Sequence, residues 1–395
     1  MKKLQASAEN ADYNSLLWND LYKFSMQYAV LVNFPQAVVE YELFDRGCVD
    51  FPDNFDFELK KIINNYTSKK MSKIRKMEFM AKCPYLPNWY FDFLEHYTYD
   101  PNEVICYLDE NKHLKVKIKG FWYRTILWEV PLMADICELY YKMTGVVYDF
   151  DSSNTANKAV IFRNNGINYA DFGTRRAFSR ENHHNVFNVL LKESYDEFIG
   201  TSNVELGLAY NTKIVGTYAH EFVSGVAALN GYIHANYHAM EIWSKTYNGD
   251  LGIALTDTFT TLAFLKDFNS KYSKLFDGVR HDSGCPLAFT DMMIHHYNSL
   301  KIKPQYKSIV YSDGLNVKKV LEISEYRKNE INKSYGIGTN FTCDISCVKP
   351  MNIVIKLVKI NNNHVIKISD DLKKSIGDKQ TIEFGMFQIN NLLKS

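Results

Sequence analysis

The chain has 395 residues, 46 Lys and Arg against 45 Asp and Glu, a net charge of +1 and 46% hydrophobic residues. It is long enough to bury a sizeable core and too evenly charged for a disordered segment or a protein that coats a polyanion. Two lysines open the chain, but no apolar run precedes Glu9 and Asp12, and nowhere do about 18 uncharged apolar residues run together, so neither an export signal nor a membrane span is expected.

Seven cysteines without a C-x-x-C pair fit a reducing cytoplasm. With 19 glycines and 9 prolines there is little material for flexible linkers, so closely associated domains are expected; the unusual figure is 14% aromatics. Residues 16–46 read as a helix, LYKFSMQYAVLV, followed by a strand, AVVEYELFDRG. Residues 55–79 read as helical and basic, with Lys60, Lys61, Lys69, Lys70, Lys73, Arg75 and Lys76. No aromatic platform or groove-reading motif accompanies them, so they form a solvated face and no nucleic-acid partner is expected. Strand patterns return at VICYLDE and LKVKIKGFWYR, and an apolar helix fills 127–143.

Further on the texture changes. Short β-type runs, each ending in Gly and polar residues, alternate with helical periodicity: INYADFGTRR, FIGTSN, KIVGTYAHE, GIALTDTF, GVRHDSG, SIVYSDG and SYGIGTN. Most of the polar ends lie roughly 25–39 residues apart, the size of one strand–loop–helix unit. That rhythm predicts an α/β fold, a β/α barrel or a doubly wound sheet, with functional groups at the C-terminal strand ends. After Pro350 strand patterns resume (MNIVIKLVKI, HVIKISD), so the chain is expected to return to its first domain.

The strand ends supply Asp171, Arg175, Arg176, Thr201, Ser202, Thr217, His220, Asp257, Arg280, Asp282, Ser283, Asp313, Gly336 and Gly338. The set suits a phosphorylated sugar. Arginines hold phosphate bidentately, Gly-Ile-Gly turns bring backbone N–H groups close to it, and carboxylates can bind sugar hydroxyls, a cationic transition state or Mg²⁺. Taken singly, an Asp at a strand end is more often a helix cap and a His an ordinary hydrogen-bonder. Their concurrence on successive ends points to one site. His234-x-x-x-His238 with Glu241 has zinc-like spacing but reads as part of an amphipathic helix, and Cys343 with Cys347 lacks the further ligands of a zinc site.

At these residues the chain resembles the nicotinate phosphoribosyltransferase family, from Leu16 to Asp378. The motifs are LLWNDLYKFSMQYAV, VEYELFDRG, DFGTRRAFSRE, GTSNV, GTYAHEF, ALTDTFTT, FDGVRHDSG, YSDGLNV, GIGTN, KPMNIVIKL and IKISD. The resemblance implies an irregular β/α barrel packed against an α/β sandwich built from both chain ends, with sandwich residues 1–135, barrel residues 136–345 and returning strands 346–395. It implies synthesis of nicotinate mononucleotide and pyrophosphate from nicotinate and phosphoribosyl pyrophosphate, with Mg²⁺ and with ATP as co-substrate, in NAD salvage.

The same resemblance implies site roles. His220 is the residue phosphorylated by ATP. Tyr22 and Phe172 sandwich the pyridine ring, with Tyr22 donated across the interface of a homodimer. Arg175 and Arg280 meet carboxylate or phosphate, and Thr201 lies on the substrate-binding rim. Asp257 and Asp282 lie at the reacting centre, and Asp313, Gly314, Gly336 and Gly338 hold ribose and 5′-phosphate. Ser202, where nicotinamide-specific relatives carry Asp, favours the acid over the amide, because a hydroxyl can donate to a carboxylate that an Asp would repel. Cys285 after the DSG triplet and Trp18-Asn19 before Asp20 depart from the family pattern. Loss of His220, Arg280 or Asp282 would have favoured a silent nucleotide-binding relative; all three are present.

Overall fold

A computed structural model describes residues 11–346, 348–370 and 375–394. The chain forms two compact units, one of residues up to 28, 41–216 and 337–356, the other of 29–40, 217–336 and 357–395.

Strand β1 (Val38–Asp45), which from Tyr41 onward lies in the first unit, belongs with β2 (Val104–Leu108) and β3 (Leu114–Phe121) of that unit to an antiparallel sheet. Residues of β2 and β3 pair from Val104 with Ile118 to Leu108 with Leu114. Alternation of buried and outward residues in LKVKIKGF is what a half-covered sheet requires. Two parallel strands follow, β4 (Tyr169–Asp171) and β5 (Phe198–Thr201).

In the second unit, β6 (Ile253–Leu255), β7 (Gly278–His281), β8 (Ser308–Tyr311) and most of β9 (Asn332–Ile337) run parallel in the order β9-β8-β7-β6. A helix follows each of β6, β7 and β8, Thr261–Asp267, Pro286–Ser299 and Val317–Glu325. The last residue of β9 reaches the first unit, where the Phe172 amide donates to the Ile337 carbonyl at 2.8 Å. The last long strand, β10 (Ile353–Ile360), is shared in the same way: the Arg46 amide donates to Asn352 in the first unit and Asn361 to Val38 in the second. The fold class is therefore the expected one, α/β with a parallel β/α sheet and an antiparallel sheet that draws strands from both chain ends.

Several local expectations are corrected. The basic stretch at 55–79 is broken: a helix Phe55–Asn64 ends in a 3₁₀ turn, and a second helix, Lys73–Lys82, starts at the Ser72 cap. KIVGTYAHE forms no strand, only a parallel bridge between Ile214 and Thr201. TFTTLAFLKDFNSKYSKLF splits into Thr261–Asp267 and Ser270–Leu275 because Asn269 caps a new helix with its side chain.

The aromatics mostly build cores. In the first unit Tyr66 stacks on Trp128 at 4.8 Å, with Tyr99 4.6 Å from the same ring. In the second, Trp243 packs on Tyr218, Phe222 and Tyr247 at 4.6–5.3 Å. Burying such rings supplies much of the apolar stabilisation of each unit.

Gly278 shows how tightly the strands approach: a Cβ there would lie 2.1 Å from the Ser308 carbonyl oxygen of β8. Gly278→Ala is expected to cost about 1–3 kcal/mol, read as a lower urea midpoint with unchanged m-value; an unchanged midpoint would contradict this packing.

Candidate active site

In the second unit the strand ends converge on one imidazole. His220 opens the helix His220–Asn230 and is half-buried. Its Nδ1 lies 2.9 Å from the Thr258 hydroxyl, and its Nε2 3.0 Å from Asp282 Oδ2 and 3.7 Å from Asp257 Oδ1. Asp257 and Thr258 follow β6, Asp282 follows β7, and Ser312, just after β8, donates to Asp282 Oδ1 at 2.8 Å.

A residue absent from the sequence-level assignment completes the cluster. The Lys367 ammonium sits 3.0 Å from Asp257 Oδ2 and 3.0 Å from His220 Nε2, with only 12% of its side chain exposed. Its backbone is anchored by paired hydrogen bonds with Ile376, and the next residue, Ile368, donates to Thr258. Ser283 donates to Asp257 Oδ2 at 2.6 Å and accepts from Ser369 at 3.1 Å. Arg280 donates to the Thr217 hydroxyl at 2.6 Å, and its Nε is buried without a partner.

The electrostatics follow from this crowding. Burial and then the Lys367 ammonium push the His220 pKa down, against the opposing pull of Asp257 and Asp282, so the ring is neutral. Burial alone would raise Asp282, but its hydrogen bond with His220 and the charges of Arg280 and Lys367 hold it well below the usual carboxylate range. Burial would raise Asp257 as well, but the Lys367 charge and the Ser283 hydrogen bond help to hold it below its ordinary value. Two carboxylates and two cations around a neutral ring sum to zero.

A neutral ring has one N–H, and the partners decide where it lies. Asp282 Oδ2 can only accept, whereas the Lys367 ammonium already donates to Asp257. With the proton on Nε2 it is donated to Asp282 and the lone pair stays on Nδ1, facing the Thr258 hydroxyl; the Lys367 ammonium then keeps its hydrogen bond to Asp257 and meets Nε2 only as a nearby charge.

The first unit carries a second cluster. Asp20 is buried and its Oδ1 accepts from the Ser202 hydroxyl at 2.8 Å and the Thr174 hydroxyl at 2.7 Å; burial raises its pKa, against these two hydrogen bonds. Ser202 is 3% exposed, so its single proton is committed inside the protein and not offered to a ligand. Thr201 is likewise buried, its hydroxyl donating to Asp171 and accepting from the Asn203 amide. In the structure these two hydroxyls are turned to Asp171 and Asp20.

Arg175, with 41% of its side chain exposed, is 3.2 Å from Glu129, which also pairs with the buried Lys23. Tyr22 of the same chain lies beside Arg175, and its hydroxyl is buried without a partner. Phe172 is half-buried, and a Cβ on Gly338 would come 3.0 Å from the Phe172 carbonyl, so this approach depends on glycine. In the second unit, Gly314, beside Asp313, adopts φ +55°, a turn geometry that favours glycine, and Gly336 is buried in β9.

The other candidates resolve simply. His234 Nδ1 is 2.7 Å from Asp267, and Glu241 pairs with Lys271 and Lys245, so that spacing is structural. Cys343 is buried against the Tyr141 hydroxyl, while Cys347 lies outside the described residues. Trp18 is buried edge-on to Tyr13 and His183, and Asn19 binds the Leu127 carbonyl and the Asp20 amide, so both departures are packed into the core. Cys285 is exposed at the start of the helix Pro286–Ser299.

Among the described residues, His220, Asp257 and Asp282 are the group whose donor atoms could hold a metal, all within 4.8 Å. They do not fit a resident Mg²⁺. Lys367 already places a cation against two of them, and a nitrogen ligand is foreign to magnesium's preference for oxygen.

An imidazole held by carboxylates that follow parallel strands, with Arg280 and Lys367 alongside, is the arrangement of a β/α enzyme site. Comparison with known proteins gives the family. The model of the nicotinate phosphoribosyltransferase (NAPRTase) family matches residues 167–388, and that of the NAPRTase N-terminal domain matches 17–137. Nicotinate phosphoribosyltransferase of Desulforapulum autotrophicum is 46% identical over 377 residues, 93% of this chain and 96% of the relative. That of Saccharomyces cerevisiae is 36% identical over 93% of each. The crystal structure of nicotinate phosphoribosyltransferase from Porphyromonas gingivalis superposes with a TM-score of 0.93 at 36% identity, covering 95% of this chain and 99% of that one. The chain belongs to the nicotinate phosphoribosyltransferase family.

The lowered His220 pKa has a direct readout. An NMR titration of the ring is expected to give a midpoint below the ordinary 6.5, with the neutral form persisting to lower pH; a midpoint at or above that value would contradict the charge arrangement.

Proposed function

We propose that the chain converts nicotinate, phosphoribosyl pyrophosphate, ATP and water to nicotinate mononucleotide, pyrophosphate, ADP and phosphate, through a phosphorylated His220. The observation that carries the reading is the oriented neutral ring. Nε2 lies 3.0 Å from Asp282 and Nδ1 2.9 Å from the Thr258 hydroxyl, so with the proton on Nε2 the Nδ1 lone pair is left as an activated nucleophile. Nδ1 attacks the γ-phosphorus, the bond to the bridging oxygen breaks, and ADP leaves with that electron pair. The product carries a phosphoryl dianion on Nδ1 and a positive imidazolium whose Nε2–H stays on Asp282.

In the transferase step the pyridine nitrogen attacks C1 of the sugar and the C1–O bond electrons depart with pyrophosphate. Asp257 and Asp282 are the carboxylates closest to where positive charge develops. Mg²⁺ would be carried by the substrate phosphates and not by a protein site, and would supply charge neutralisation there. Arg175, partly exposed and cationic, meets the nicotinate carboxylate, and Tyr22 and Phe172 flank the ring. Arg280 meets phosphate, Asp313 and Gly314 the ribose, and Gly336 with Gly338 the 5′-phosphate. Preference for the acid then rests on Arg175, with Ser202 and Thr174 quenching the Asp20 carboxylate that would otherwise repel it. A second copy of the chain as a homodimer partner and a cytoplasmic location accompany this reading, as does the division at residues 135 and 345. Among the described residues no helix is long and apolar enough to cross a membrane.

Incubation with γ-labelled ATP is expected to give an acid-labile phosphoprotein, lost in His220→Ala; equal labelling of that variant would sink the assignment. Asp282→Asn, which keeps the shape but removes the orienting charge, should lower kcat roughly 10–100-fold, and wild-type kinetics would remove Asp282 from the mechanism. Turnover with nicotinate should exceed that with nicotinamide, and Arg175→Met should narrow the ratio; an unchanged ratio would put acid recognition elsewhere.

A further inference from the structure

The Lys367 ammonium is shared. It lies 3.0 Å from a carboxylate oxygen of Asp257 and 3.0 Å from Nε2 of His220, and it is largely withdrawn from water. A neutral ring tolerates a cation at that distance. An imidazolium does not, because two like charges then face each other at hydrogen-bond range with little solvent between them. Phosphorylation at Nδ1 makes this change at Nε2, whose proton stays on Asp282.

We propose that Lys367 is the positioning residue that reads the state of His220: it sits on the ring while the ring is neutral and is released to the pyrophosphate of phosphoribosyl pyrophosphate once the ring is phosphorylated. This rests on the His220 reading above. The surroundings direct the release. Asp257 Oδ2 also accepts from Ser283 at 2.6 Å, so it keeps a donor when Lys367 turns away. The backbone of Lys367, fixed by its two hydrogen bonds with Ile376, confines the movement to a flexible four-carbon side chain. A partly desolvated ammonium is a strong partner for a phosphate oxygen. ATP is thereby coupled to tighter substrate binding without any rearrangement of the sheet.

The test compares the wild-type enzyme with Lys367→Met and Lys367→Arg, measuring label on His220 from γ-labelled ATP and the KM for phosphoribosyl pyrophosphate with and without ATP. In the wild type ATP is expected to lower that KM by roughly 10–100-fold, the size of one charge-assisted hydrogen bond. Lys367→Met, its folding read from a wild-type melting curve and its KM compared at equal label on His220, should lose most of this drop; Lys367→Arg should recover a large part of it. A Lys367→Met enzyme that labels normally and keeps the full drop overturns the role of Lys367 and leaves His220 untouched. Loss of labelling in a variant with a wild-type melting curve also overturns it, because Lys367 would then serve the phosphoryl transfer itself. Absence of label on wild-type His220 overturns this proposal and the reading beneath it together.

Discussion

The second unit turns on one proton. His220 Nε2 lies 3.0 Å from a carboxylate that can only accept and 3.0 Å from an ammonium that can only donate. Because Asp257 takes up the ammonium, the proton goes to Nε2 and the lone pair to Nδ1. The rest of the site serves that choice: Ser312 steadies Asp282, Ser283 and Ser369 steady Asp257, and Arg280 balances the last charge. Buried charges are costly unless paired, so each member limits where the others can stand.

The same logic runs through the first unit with the signs rearranged. Asp20 is buried and supplied by two hydroxyls, while Glu129 is shared between Lys23 and Arg175. Lys23 is fully buried, but Arg175 keeps part of its side chain exposed, which leaves one cation of the group available to an anionic ligand. The buried, unpartnered Tyr22 hydroxyl lies beside it. Fold and function meet in such spare valences, since a polar group left unsatisfied in a packed interior is held there at a cost.

Much of this was legible in the chain. The alternation of β-type runs with helical periodicity places Asp257, Asp282 and Asp313 at or just beyond strand ends, and the parallel order of β6 to β9 follows from it. KIVGTYAHE misled because its Gly and polar residues mark a loop as readily as a strand end; Gly216 approaches the backbone of Tyr22, so that segment is held by packing and not by a ladder. Lys367 was illegible by period or spacing. It stands 110 residues from Asp257 and 147 from His220, and only the return of the chain after β10 brings it there. The partner of Ser202 was illegible too: a hydroxyl has one proton, and the sequence does not say that Asp20 takes it.

The account stands most directly on which nitrogen of His220 is modified. A ³¹P NMR spectrum of the enzyme after treatment with ATP and Mg²⁺, compared with the two phosphohistidine isomers, distinguishes them. Phosphorus on Nδ1, with the resonance absent in His220→Ala, is the result the Asp282 hydrogen bond requires. Phosphorus on Nε2 would mean that Lys367, and not Asp282, claims that nitrogen, and the assignment of the proton would be wrong.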